Sequence, residues 1–145
     1  MKIVMEQPAT GEEDQIIVKC RNMTPEMMEL IHRIQMQSYV LTGYVGDTIH
    51  KVPPSDVFYI ETVNGRTFLY GKQDVYEVKQ KLYELEENLG ASDFLRISKS
   101  TLLNLSKIKT LVPALSGRLE AVLKNDEKVI ISRQYVGELK KRLDI

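Results

Sequence analysis

VFYIETVNGRTFLYGK, residues 57–72, is a pair of β-branched and aromatic runs hinged on Asn64-Gly65. Asn and Gly both accept the positive φ that a two-residue type I′ turn demands, so this stretch predicts a β-hairpin with Arg66 at or beside its tip. Downstream, KIKTLVPAL (107–115), RLEAVLK (118–124) and EKVII (127–131) are separated by Ser116-Gly117 and Asn125-Asp126, which predicts strand, turn, strand, turn, strand. FLRIS (94–98) reads as a strand, and STLLNL (100–105) as a turn or short helix. The back of the chain is therefore mainly β.

Helical spacing appears three times. Thr24-Pro25-Glu26 supplies a capping hydroxyl, a first-turn proline and a carboxylate, and Met27, Leu30, Ile31 and Ile34 follow on one face, predicting a helix over 25–38. Val75, Val78, Leu82, Leu85 and Leu89 predict an amphipathic helix over 74–89 that stops at Gly90. Tyr135, Val136, Leu139 and Leu143 give an inward face to a closing helix over 133–143, with Ser132 placed to cap it. Before the first helix, residues 2–7 (KIVMEQ) and 15–20 (QIIVKC) read as two strands around the turn formers PATGEED, and after it YVLTGYV and TIHKV read as extended up to Pro53-Pro54. A boundary near residue 52 divides a small β-β-α-β N-terminal subdomain, 1–51, from a main domain, 52–145.

Composition limits the function classes. The chain has 145 residues, 43% of them hydrophobic, enough to bury a core, and no stretch reaches the roughly 18 apolar residues of a membrane span. The start, MKIVMEQPAT, lacks the pattern of a secretory signal, so a cytoplasmic protein is expected. Catalysis has little to work with. Cys20 is the one cysteine, His32 and His50 are the only histidines, and neither a metal-ligand spacing nor a glycine-rich phosphate loop occurs, so neither an enzyme nor a bound cofactor is expected.

Recognition remains. Formal net charge is zero, but residues 1–50 hold 4 basic and 7 acidic groups while residues 94–142 hold 11 basic and 4 acidic. Local field, not total charge, attracts a polyanion. Arg66 at a hairpin tip, Lys99 within Ser98-Lys99-Ser100, and Arg133 after Ser132 all fall at element ends, where a rigid scaffold presents binding groups. Ser98 and Ser100 can donate hydroxyls to phosphate oxygens, and Lys107 and Lys109 would add sequence-blind attraction. Free amides at the start of the last helix suit Ser132, Arg133 and Gln134 to holding a phosphate. An acidic protein partner meeting the same basic edge is the competing reading, as an interaction or oligomerisation module.

FLRISKSTLLNLSKI, preceded by VFYIETVNGRTFLYG and followed by GRLEAVLKNDEKVIISRQYVGELKKRL, resembles the LytTR family of bacterial DNA-binding domains over about residues 52–144. The segments occur in family order: the aromatic-rich hairpin, the run Phe94, Arg96, Ser100 and Asn104, and the late Ser132-Arg133. The resemblance implies an α+β fold, a mainly antiparallel β domain that inserts loops into successive grooves of double-stranded promoter DNA. By position, its base-reading residues fall on Arg66, Lys99 and Arg133, with Arg96 and Asn104 holding a loop. Arg66 and Lys99 stand where some members carry His and Asn, and Ser98 where His is frequent. Only about 50 residues precede the match, too few for a receiver domain, and the arrangement resembles stand-alone regulators. It implies a transcriptional regulator acting as a homodimer or paired monomers, in some relatives restrained by a membrane-protein inhibitor. Methionines 23, 27, 28 and 36 in or near the first helix suit core packing or such a contact.

Overall fold

The computed structural model describes residues 1–37, 39–90 and 92–145. Ten strands and three helices follow one another as α1 (Pro25–Met36), β1 (Leu41–Val45), β2 (Thr48–Val52), β3 (Tyr59–Val63), β4 (Arg66–Tyr70), β5 (Val75–Val78), α2 (Leu82–Asn88), β6 (Phe94–Ser98), β7 (Thr101–Asn104), β8 (Ile108–Pro113), β9 (Leu119–Leu123), β10 (Lys128–Ile131) and α3 (Arg133–Leu143). All strand pairs are antiparallel, in a seven-stranded sheet ordered β2-β1-β5-β4-β3-β7-β6 and a three-stranded sheet ordered β10-β9-β8.

The expected hairpin is present: Val63 pairs with Arg66, and Asn64 and Gly65 take φ of 52° and 77°. That register stacks Tyr59 on Tyr70, ring centroids 4.4 Å apart. Two apolar cores flank the large sheet. Ile60, Leu69 and Leu102 pack with Leu82 and Leu85 of α2 and with Leu89 at its C-cap; Phe58, Ile97 and Leu103 pack with Leu119, Leu123 and Ile131 of the small sheet and Leu139 of α3.

Three expectations need correction. Residues 75–78 are a strand, not the first turns of a helix, because β5 is held between β4 and β1, and α2 spans only Leu82–Asn88. Residues 101–104 are a strand as well: β7 is buried on both faces, Leu102 in one core and Leu103 in the other, so it lacks the alternation that marks a half-exposed strand. The runs 2–7 and 15–20 form no strand in the structure, so the N-terminal β-β-α-β arrangement is reduced to α1 and the β1–β2 hairpin. Extended propensity alone does not make a strand when no neighbour supplies the ladder. The division expected between residues 51 and 52 falls at the last residue pair of β2, a strand that belongs to the large sheet.

Candidate nucleic-acid interface

Strand direction decides where the cationic tips emerge. The β3–β4 turn and the β6–β7 turn meet at one end of the large sheet, since Glu61 pairs with Thr101 and the Thr62 amide donates to Ser100 O at 2.9 Å. The start of α3 is tied to that end by the Ser132 amide, which donates to Ile97 O at 2.8 Å. Pro113 and Ile131 both pair with Leu119, bringing the β8–β9 loop there too. Its Gly117 lies against Arg133: a Cβ on that glycine would sit 3.0 Å from Arg133 Cδ, and its φ of 74° independently favours glycine.

Arg66, Ser98, Lys99, Ser100, Ser132, Arg133 and Gln134 are thus gathered at one end of the molecule. Lys99, Arg133 and Gln134 are exposed there. Arg66 is exposed but engaged: its Nε donates to Glu77 Oε2 at 2.8 Å, its Nη2 contacts the same oxygen, and its guanidinium carbon is 5.4 Å from the Phe68 ring centroid. Glu77 is a partner of Arg66 that sequence reasoning missed, because only the register of β4 and β5 brings it near. Gly117 was legible as a turn former, but not as the seat of Arg133.

Internal hydrogen bonds brace the Lys99 turn. The Ser100 amide donates to Ser98 Oγ at 3.2 Å, and Arg96 Nη1 donates to Lys99 O at 2.6 Å. Arg96 is itself fixed by Glu86 of α2, Nε to Oε2 at 3.0 Å. Asn104 is 2% exposed; its Nδ2 donates to Val57 O at 2.8 Å and its Oδ1 accepts from the Ser106 amide and hydroxyl. Both residues hold backbone in place and neither presents its polar atoms outward. Ser132 occupies the N-cap position of α3, yet its hydroxyl makes no capping bond, a correction to the expected cap. In the first turn of α3 the Tyr135 amide donates to Ser132 O at 2.9 Å, which leaves the Arg133 and Gln134 amides without an intrahelical acceptor at this same end.

Lys107 is not part of the cluster. It follows β7 at the other end, about 15 Å away at strand rise, with Nζ 5.0 Å from the Phe58 ring centroid. Lys109 is also there, paired with Asp126 at 3.3 Å. The basic run 94–111 is therefore split: Arg96 supports, Lys99 projects, and the two later lysines leave the site.

The electrostatics of the cluster rest on Arg and Lys charges. Among the described residues no group of histidine, cysteine and carboxylate side chains could hold a metal ion, and no helix is long and apolar enough to cross a membrane.

Comparison with known proteins agrees with this architecture. The sequence profile of the LytTr DNA-binding domain matches residues 47–144. A Staphylococcus aureus protein named as an HTH-type transcriptional regulator is 29% identical over 147 residues, covering 100% of this chain and 99% of its own. The sensory transduction protein LytT of Enterococcus faecalis is 31% identical over 99 residues, 68% of this chain and 41% of that protein. Among solved structures, a LytTr DNA-binding domain from Bacillus cereus superposes with a TM-score of 0.69 at 27% identity, covering 73% of this chain and 97% of that one. Despite the first relative's name, this chain has no helix-turn-helix among its described residues: five strands separate α2 from α3.

Proposed function

The chain belongs to the LytTr DNA-binding domain family, and from that premise we propose that it is a transcriptional regulator that reads double-stranded promoter DNA with Arg66, Lys99 and Arg133 inserted into its grooves. One observation carries the reading: three cation-bearing tips far apart in sequence emerge at one end of a rigid two-sheet scaffold. Arg and Lys are donors suited to guanine O6 and N7 in the major groove. Ser98, Ser100, Ser132 and the α3 amides, with Gln134, are placed to meet phosphates beside them. On this reading the protein works in the cytoplasm with the chromosome, and residues 1–51 serve contacts with protein, either a second copy or a membrane-protein inhibitor.

The test is fluorescence anisotropy on a duplex selected from random sequence and on an unselected duplex, across a salt series. Affinity should fall steeply with salt, because each neutralised phosphate releases counterions. Lys99→Ala and Arg133→Ala should each cost about 1–3 kcal/mol on the selected duplex and much less on the unselected one. Equal losses on both duplexes would remove the base-reading role, and salt-insensitive binding would favour an ordinary protein-interaction edge.

A further inference from the structure

Residues 1–36 hold two half-finished structures. The first is a pair of extended apolar arms. Glu12 N–H donates to Ala9 O at 3.0 Å, closing a turn in which Gly11 supplies a φ of 87°, the positive angle a type II turn takes at its third residue. Such a turn splays the arms that leave it, whereas primed turns bring them into register. Among the described residues this is the single backbone hydrogen bond within 1–23. Ile3, Val4, Met5, Ile16, Ile17 and Val18 all stand exposed on the arms, Ile3 at 89% and Ile17 at 66%.

The second is a helix without a cover. α1 has a sound start, with Thr24 Oγ1 accepting from the Met27 amide at 3.2 Å, yet none of its residues is buried. Met28 and Leu30 are exposed, and Met27, Ile31 and Ile34 are only partly covered. A twelve-residue helix is marginal in water unless an apolar face is buried against something. The arms lack a layer to cover them, and the helix meets the core at its end through Met36 while Met28 and Leu30 stand exposed.

We propose that residues 1–36 form a two-fold interface with a second copy of this chain, the arms of both copies pairing into one intermolecular sheet with the two α1 helices laid on its apolar face. The number of strands favours a second copy over a different partner. Two strands are too few for a stable sheet, and three or more with a helix on one face suffice; two copies supply four strands and two helices from identical parts, as an isologous contact requires. The area is adequate: the exposed apolar side chains of the arms, Met23 and α1 amount to on the order of 1,000 Å² per copy, above the ~800 Å² per partner of a standard interface. Charge argues against DNA or an anionic lipid surface here, since residues 1–36 carry four basic and six acidic side chains. The Staphylococcus aureus relative aligns across this whole segment as well as across the domain.

The proposal does not rest on the DNA reading and is tested without DNA. Sedimentation equilibrium of the full chain should show a dimer at about 10 µM, and Ile17→Asp or Met28→Asp should weaken it roughly 100-fold, as expected when a carboxylate replaces an apolar side chain in a covered layer. Both positions are exposed in the single copy, so the sheet domain should keep its circular dichroism spectrum in each variant. Cys20 is exposed and is the chain's one cysteine. A spin label on it should give a defined dipolar distance between copies, lost in Ile17→Asp. A wild-type chain that stays monomeric would overturn the proposal. So would a dimer that neither substitution weakens, because its interface would then lie elsewhere.

Discussion

Glu77→Gln should tighten binding to the selected duplex. In the free protein the Glu77 carboxylate holds Arg66 back along the β4–β5 face, with the Arg side chain 67% and the Glu side chain 36% exposed. An exposed pair of this kind is worth roughly 0.2–1 kcal/mol, and Arg66 must give it up before reaching into a groove. Glutamine keeps the shape of the side chain and the pairing of β5 with β4 and β1, so the sheet is undisturbed. Removing a negative charge that sits ~10 Å from phosphates adds about 0.2–0.4 kcal/mol in solvent-screened conditions. Together the gain is about twofold to tenfold in Kd, read by anisotropy at fixed salt. The decisive comparison is a double-mutant cycle with Arg66→Ala, where only the general charge effect survives and the gain should shrink to about 1.5–2-fold. An equal gain in both backgrounds would show that Glu77 does not restrain Arg66. Weaker binding by Glu77→Gln would mean that the ion pair organises the reading arginine.

Further expectations follow from the placement of other side chains. Lys107→Ala should leave affinity for selected and unselected DNA within about twofold, because the lysine lies at the far end of β7 against Phe58; a uniform tenfold loss would return it to the interface. Asn104→Ala should destabilise the fold by about 2–3 kcal/mol in urea denaturation, since it strands the Val57 carbonyl and the Ser106 donors near a buried site; a loss under 0.5 kcal/mol would contradict its anchoring role. Burial, and then the charge of Glu127, pushes the Tyr59 phenol above the ordinary tyrosine value. The group therefore contributes stability in full below about pH 10 and loses it as pH climbs towards the folded-state value. Tyr59→Phe should flatten the alkaline decline in melting temperature, and an unchanged decline would exclude Tyr59 as its source.

Much of this was legible because local chemistry and tertiary context agreed. Asn64-Gly65 fixed the central hairpin since few other pairs take two positive φ values, and α3 was readable to its ends from Tyr135, Val136, Leu139 and Leu143. Where the two disagreed, the sequence misled. Val75 and Val78 fit the face of a helix through Leu82 and Leu85, but sheet partners on both sides claimed them for β5. Thr101–Asn104 has no alternation because both faces of β7 are covered. Arms 2–7 and 15–20 have the composition of strands without a ladder to join in a single copy. At the candidate site, Arg66, Lys99 and Arg133 stood out as cations at element ends. Lys107 was grouped with Lys99 by nearness along the chain, which a four-residue strand turned into opposite ends of the molecule. The contacts of Glu77 with Arg66 and of Gly117 with Arg133 depend on the strand register and loop path and leave no signal in the sequence.

Amide chemical shifts of the ¹⁵N-labelled chain, titrated with the selected duplex, test the common reading end most directly. Perturbations should concentrate at residues 64–66, 98–100, 115–118 and 132–134 and should spare 71–74, 105–109 and 124–126. Shifts centred instead on the Lys72 and Lys107 end, or confined to a single one of the four loops, would contradict a head built from converging tips.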